Sequence, residues 1–401
     1  MQDISLEQAI SMLLEHTEAI GETETVPLLE AAGRILAEEV RAPFPQPPFD
    51  RSPLDGYTFA AAATDGATEE KPATLCIIGE ECAGDFFHGT VACGEAVRLM
   101  TGAAIPTGCD CVIRQEDVRV EGDTLYVPYA LAPYENYCFK GEDMEEGALV
   151  AEAGAKITSG LIGLLASLGK AEVRVYQKPH IFLASTGDEL KMPGEALAPG
   201  KIYNSNLYLL AARLREWGFQ PRVYGILPDD AALAADALKE AAASCDLLLT
   251  TGGVSVGKKD IMHEVRQRMG AERLFWRVAM KPGAPAIAYR TGRTLGVALS
   301  GNPFAAFATF EMMVRHVLAK ASRDPSVLYR TGRGRLANGF AKVSPGRRII
   351  RAHYDEDGTV RLFEKNASGV LAGLSDTNAF VDIPAGSPPL EPGEEVTVIR
   401  L

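Results

Sequence analysis

The chain has little of what marks several large classes of protein. No apolar run reaches the roughly twenty residues of a membrane-spanning helix, and the first twenty residues lack a basic segment followed by an apolar one. Neither a membrane span nor a secretory leader is expected, and a cytoplasmic location is. Positive charge is scarce: 40 Lys and Arg against 53 Asp and Glu leave a formal charge of −13. That excludes a general nucleic-acid binder, whose phosphate contacts need a broad basic face, and any small anionic ligand would have to meet locally basic ground. Paired cysteine motifs are missing as well. The seven cysteines contain no Cys-x-x-Cys spacing, which argues against a zinc or disulfide framework. Six of them, Cys76, Cys82, Cys93, Cys109, Cys111 and Cys138, crowd into one stretch and read as small buried hydrophobes.

What is present is ordinary globular composition, 47% hydrophobic and 23% charged over 401 residues, enough for several cores. Residues 5–16, capped by Ser5, and 28–40 carry helical periodicity. Pro43, Pro45, Pro47 and Pro48 then force an extended crossing. From 50 to 143 short apolar runs alternate with turns (Ala73–Ile78, Ala96–Met100, Cys111–Gln115, Val118–Val120, Leu125–Val127), which predicts a β-rich insertion over 43–143. A helix over Ser159–Leu168, ended by Gly169, and a strand over Ala171–Tyr176 rejoin the N-terminal helices. Residues 1–42 and 144–177 thus read as one discontinuous elongated domain.

Residues 178–323 alternate strand and helix, the pattern of a doubly wound, mostly parallel sheet with helices on both faces. Such sheets bind ligands outside the carboxyl ends of their strands. The tail, 324–401, shows only strand-sized runs and reads as a small β-barrel. Between Arg323 and Arg351 stand eight Lys or Arg and one acid, Asp324; on pattern alone this is a solvated basic face, with help in holding an anion as the alternative.

Four loops follow predicted strands of the α/β segment: Ser185 to Glu189, Leu227 to Asp230, Thr250 to Asp260, and Ser300 to Pro303. They should meet at one sheet edge, where small residues let backbone N–H groups approach an anion and Asn302-Pro303 opens a helix. Glu189, Asp229 and Asp260 would bring carboxylates suited to Mg²⁺ beside a phosphorylated ligand, although Asp229, Asp230 and Asp260 each have the alternative of capping a helix. Lys281, before Pro282-Gly283, would place an ammonium at the same edge.

The loop Thr250-Thr251-Gly252-Gly253-Val254-Ser255-Val256-Gly257 matches G-x-S-x-G, and with Lys258 it also matches the start of a P-loop. Against a hydrolase, Ser255 stands too far from the strand and no oxyanion loop is visible. Against a P-loop, Lys259 occupies the place of the Mg²⁺-binding Ser or Thr. Both patterns agree that a glycine-rich loop between strand and helix receives an anion.

Taken in series, Asp55-Gly56-Tyr57, Met100-Thr101-Gly102-Ala103, Gly141-Glu142-Asp143, Ser185-Thr186-Gly187-Asp188-Glu189, Thr251 to Gly257, Lys281-Pro282-Gly283 and Gly301-Asn302-Pro303 resemble the molybdopterin molybdotransferase family, of the MoeA and gephyrin E-domain type. The resemblance covers essentially the whole chain. It implies a four-part molecule with a MoaB/Mog-like central domain, and a cytoplasmic homodimer that inserts molybdate into adenylated molybdopterin with Mg²⁺-dependent release of AMP. Thr251, Gly252, Gly253, Ser255, Gly257, Asp229, Asn302 and Pro303 would hold the pterin nucleotide. Glu189 and Asp260 would serve the metal and phosphate, and Lys281 the oxyanion. Asp55, Thr101 and Asp143 would complete the site from the partner subunit, and Asp55, Asp143, Glu189 and Asp260 would be its catalytic carboxylates. Contact with the adenylyltransferase of the preceding step is a further implied partnership, and that adenylyltransferase activity is itself an alternative reading. Three positions depart from the family pattern: Asn136 to Lys140 leave one cation where relatives carry arginine, Ala284 stands where a second lysine is common, and Ser300 replaces a proline. A paralogue that prefers tungstate or has reduced activity is the alternative they raise.

Overall fold

Strands Ile181–Thr186 and Leu247–Thr251 are buried along their whole length, as continuous apolar runs require when a sheet is covered on both faces. They sit inside a six-stranded sheet of order Arg222–Leu227, Ile181–Thr186, Leu247–Thr251, Thr294–Leu299, Ile287–Thr291, Glu272–Trp276. The first four strands run parallel, Ile287–Thr291 runs antiparallel to them, and Glu272–Trp276 pairs antiparallel with that strand. The structure is a computed structural model that describes residues 3–254 and 261–401. It divides into two units: residues 1–25, 33–35 and 174–401, and residues 26–32 and 36–173.

In the first unit, helix Ser205–Glu216 buries Leu207, Leu210 and Leu214 on one face of the sheet. Helix Leu6–Glu15 adds Leu6, Ala9 and Leu13 to the same cluster. Each such leucine contributes about 1.5–3 kcal/mol of burial. Ser5 closes the N-terminal helix through a capping box with Gln8. Helices Ala231–Ala242 and Met262–Arg268 cover the opposite face through Ala234, Leu238, Met262 and Val265. The fold is therefore doubly wound, as the alternation predicts.

The antiparallel strand Ile287–Thr291 escaped the sequence reading. Its Tyr289 lies across from Gly296, and the phenol ring fills the space where a Cβ on Gly296 would stand, about 2.1 Å from the ring carbon. Five further strands, Arg347–Tyr354, Thr359–Leu362, Arg330–Leu336, Glu395–Arg400 and Ala379–Ile383, close into a barrel. The two-residue strand Met280–Lys281 adds to it in parallel, Lys281 opposite Arg348.

The second unit holds a six-stranded sheet of order Cys111–Arg114, Gly56–Phe59, Glu95–Leu99, Ala73–Glu81, Thr124–Val127, Arg119–Glu121. Its core is built from Phe59, Leu75, Ala96, Ile113 and Leu125. Among the described residues no helix of either unit is long and apolar enough to cross a membrane.

Three expectations need correction. The helix over 28–40 reduces to one 3₁₀ turn, Leu28–Ala31. Gly33 follows at φ +73°, and from Leu36 onward the backbone pairs with residues 148–155 instead, so tertiary pairing overrides a weak local propensity. The cysteines are not uniformly buried: Cys76, Cys82 and Cys93 are exposed, while Cys111 and Cys245 are buried. Finally, the run Arg323–Arg351 is not a uniform solvated face. Arg351 is completely buried and donates to the carbonyls of Val370, Ala372 and Lys365, and Arg347 pairs with Asp382 at 2.6 Å.

Candidate functional site

The strand order puts the reversal of winding between Ile181–Thr186 and Leu247–Thr251, and doubly wound sheets open a crevice at such a point, outside the carboxyl ends. Here the two strand ends are stitched side chain to side chain. Ser185 Oγ lies 2.8 Å from Thr251 Oγ1 and donates to Asn204 Oδ1 at 3.0 Å. Immediately beyond, Gly252 turns at φ +94°, and a Cβ there would come within 2.4 Å of the Thr186 carbonyl oxygen. Its N–H donates to Leu299 O at 3.0 Å. Only glycine lets this loop lie flat across the neighbouring strand end, leaving its backbone free to approach a ligand.

Over this edge opens a cavity of about 1730 Å³, walled on the other side by the barrel. Of the residues singled out in the sequence, Glu189, Asp229, Gly252, Gly253, Lys281, Asn302 and Pro303 line it, together with Ala284 and Ser300. The paired acids after Leu227 separate in role. Asp230 accepts from Ala232 N and Leu233 N at 2.8 and 3.0 Å, and those bonds hold its carboxyl below the usual range. Asp229 faces the cavity instead. Asn302 stands at the cap position before Pro303, yet its side chain makes no capping bond; its N–H is met by Ser300 Oγ at 3.3 Å. Lys281 reaches the cavity from its pairing with the barrel rather than from the sheet edge, and its side chain is exposed there. Thr251 is buried and not among the lining residues.

Among the described lining residues the ionic groups are Lys281, Lys342, Arg348 and Lys365 against Glu189, Asp229 and Glu364, one cation in excess where the whole chain carries a formal charge of −13. No histidine is among the described lining residues. Ser255, Gly257 and Asp260 lie outside the described residues.

Asp55 and Thr101 meet within the second unit: Asp55 Oδ1 accepts from both Thr101 N and Thr101 Oγ1 at 2.7 Å. The side-chain bond and then the backbone bond hold the Asp55 carboxyl below its ordinary range. Asp143 is exposed, with its N–H donating to Gln46 O at 3.0 Å. Thiol chemistry is disfavoured nearby, because burial pushes Cys109 up to about 11 and Cys111 up to about 12. Asn136 and Tyr134 hold positive φ of 52° and 66°.

Sequence reasoning missed Tyr203, Asn204 and Asn206, which also line the cavity. Asn204 caps the helix Ser205–Glu216, accepting from Leu207 N. An Asn three residues before the apolar run was the available signal. Lys342 and Arg348, from the basic run Arg323–Arg351, also stand in the wall, where their place depends on how the barrel packs.

Comparison with known proteins gives three consecutive family matches: the MoeA N-terminal region (domain I and II) over residues 4–169, the probable molybdopterin binding domain over 183–320, and the MoeA C-terminal region (domain IV) over 333–401. The molybdopterin molybdenumtransferase of Staphylococcus epidermidis is 33% identical over 401 residues, covering 99% of this chain and 95% of its own length. That of Bacillus subtilis is 33% identical over 395 residues, covering 96% and 91%. A crystal structure of the molybdopterin biosynthesis moeA protein from Pyrococcus horikoshii superposes with a TM-score of 0.83 at 33% identity, covering all of both chains.

Proposed function

This chain belongs to the molybdopterin molybdenumtransferase (MoeA) family, and from that premise we propose that it inserts molybdate into adenylated molybdopterin and releases AMP in molybdenum cofactor biosynthesis. The observation that carries the proposal is the cavity at the switch point, where a flat glycine turn, two carboxylates and Lys281 face one space. In this reading Gly252, Gly253, Asn302 and Pro303, with Ser255 and Gly257, hold the pterin nucleotide, Thr251 supports the turn from behind through Ser185, and Asp229 orients the ligand.

Lys281 attracts the oxyanion to the dithiolene, a charge-assisted contact of about 1.5–3 kcal/mol. Ala284 removes a second cation from that place; Arg348, in register with Lys281, keeps the wall basic. Glu189 and Asp229 offer hard oxygen donors to the cavity, which fits Mg²⁺ held by one or two carboxylates and substrate phosphate, with Asp260 as the further candidate. Bound there, Mg²⁺ would neutralise phosphoanhydride oxygens. The protein's own contribution is geometry: the loop fixes the nucleotide, and a carboxylate orients the attacking water.

Asp55, Thr101 and Asp143 complete the cleft from the partner subunit of a homodimer, with contact to the adenylyltransferase that supplies the substrate, in the cytoplasm. The chain is organised as residues 1–42 with 144–177, 43–143, 178–323 and 324–401. Incubating the purified protein with adenylated molybdopterin, Mg²⁺ and either molybdate or tungstate tests the proposal. Oxyanion-dependent AMP release is expected, with molybdate the better substrate; AMP release indifferent to oxyanion, or no turnover, contradicts it.

A further inference from the structure

The chain's excess of negative charge lies entirely in the second unit. Residues 26–32 and 36–173 hold 24 Asp and Glu against 9 Lys and Arg, an excess of 15 negative charges, whereas the first unit holds 29 against 31. On this acidic unit three aromatic rings pack together at the surface. Tyr134, Tyr137 and Phe139 touch one another with centroids 4.8–5.4 Å apart, and Tyr134 and Phe139 are 56% and 44% exposed. The cluster is held in place. The Tyr137 hydroxyl donates to Asp50 Oδ2 and Lys140 N to Asp50 Oδ1, both at 2.7 Å. Phe139 N donates to Glu142 Oε2 at 2.9 Å and Ala132 N to Glu135 Oε2 at 3.0 Å, so three carboxylates buttress the segment that carries the rings. Tyr134 and Asn136 keep φ of +66° and +52°, a conformation that bulky side chains rarely adopt and that folded chains retain mostly at working sites. Arg51, whose backbone bridges to Cys138, and Lys140 are the cations next to the cluster. Among the described residues no Lys or Arg lies over any of the three rings.

We infer that this ring cluster is a docking surface for a partner protein that presents an arginine-bearing basic segment. Single exposed apolar side chains are ordinary, whereas exposed rings packed into a cluster mark a place of interaction. The charge of the unit decides what comes to it. Nucleic acid and anionic membrane surfaces are repelled by 15 excess carboxylates, and a cationic segment is steered in. At contact a planar guanidinium stacks on a ring face while its N–H groups reach the carboxylates beside it. An ammonium can meet a carboxylate but lacks the flat surface, so arginine is preferred over lysine. The inference goes beyond the reaction proposed above: it concerns the second unit alone and needs neither the cavity nor its ligand.

The test is fluorescence anisotropy of a labelled peptide of alternating Arg and Gly, and of its Lys and Gly counterpart of equal length and charge, titrated with the full-length protein at about 0.15 M salt. The Arg peptide is expected to bind about tenfold more tightly than the Lys peptide. Tyr134→Asn removes one ring with a residue that tolerates the left-handed backbone, and Phe139→Leu removes another without changing charge. Each should weaken the Arg peptide by about five- to tenfold and leave the Lys peptide as it was. If either variant fails to fold, the other and the wild-type preference for Arg over Lys keep the test decisive. Equal affinity for the two peptides, or variants that bind the Arg peptide as the wild type does, would reduce the surface to unspecific charge and overturn the inference. Absence of binding to either peptide overturns it too. Variants that shift the sedimentation equilibrium toward monomer while peptide affinity stays the same would make the rings a contact between copies of this chain, which also overturns it. Each of these outcomes leaves the proposed function standing.

Discussion

Two polar clusters in the first unit differ in how completely they are satisfied. Behind the cavity, Glu311 is wholly buried and accepts from Arg213 Nε and Arg315 Nη1, both at 2.7 Å. The indole of Trp217 lies 4.7 Å from each guanidinium carbon and stacks on Phe310 at 5.7 Å. A π-turn, Phe310–Val314, carries Glu311 between the two arginines. Around the sheet edge the reverse holds: Asn204 Nδ2, Asn206 Oδ1 and Thr250 Oγ1, and Arg348 Nε on the barrel strand facing them, are buried without hydrogen-bond partners among the described residues. A closed network specifies structure, since every charge has its counter-charge. An open one leaves donors and acceptors for something that is not protein.

Breaking the closed cluster should have the largest effect. Glu311→Ala strands the buried Arg315 guanidinium and takes from Arg213 one of its two carboxylates, and should cost about 3–5 kcal/mol of stability, read as a shifted unfolding midpoint in urea; a shift within error would mean that the triad is not the brace described. Gly252→Ala comes next. Its Cβ would collide with the Thr186 carbonyl, so the turn must move, at a cost on the order of 1–3 kcal/mol of backbone strain. Nucleotide affinity should fall more than thermal stability does, and a global loss of fold with no selective loss of binding would count against the turn as a ligand cradle.

On the open side, Lys281→Ala should leave the unfolding midpoint unchanged, because the side chain is exposed, and should reduce the apparent affinity for molybdate by roughly 10- to 100-fold. Equal turnover at low molybdate would remove Lys281 from the site. The smallest effect belongs to Thr101→Val, which deletes the hydroxyl bonded to Asp55. The Asp55 carboxyl is held low in the folded state, so its contribution is present above the unfolded-state value and lost as pH falls through the folded value, below about pH 4. The variant should raise the Asp55 titration midpoint in a carboxyl NMR titration; an unmoved midpoint contradicts the assigned cause.

Much of this comparison could be read from the chain before folding was considered, for identifiable reasons. The buried parallel strands Ile181–Thr186 and Leu247–Thr251 appear as apolar runs because both of their faces are covered, and the loops after them follow from topology alone. Strand Arg330–Leu336 was invisible: Arg-Thr-Gly-Arg-Gly-Arg-Leu has no apolar alternation and a single β-branched residue, Thr331, and Gly334 is there because Val360 packs where its side chain would be. Ile287–Thr291 was hidden by its place in a hairpin with Thr294–Leu299 rather than in a βα unit. The open amides were beyond sequence reasoning altogether. Whether Asn204 and Asn206 are satisfied depends on distances to Ser185 and Gly301, which only the folded chain sets.

The central claim, that this cavity joins an oxyanion to a pterin dithiolene rather than merely cleaving a phosphoanhydride, is tested most directly by mass spectrometry of the pterin product. Turnover of adenylated molybdopterin with molybdate should yield one molybdenum per pterin and one AMP per molybdenum. AMP accumulating beside a metal-free pterin would make the protein a hydrolase and contradict the account.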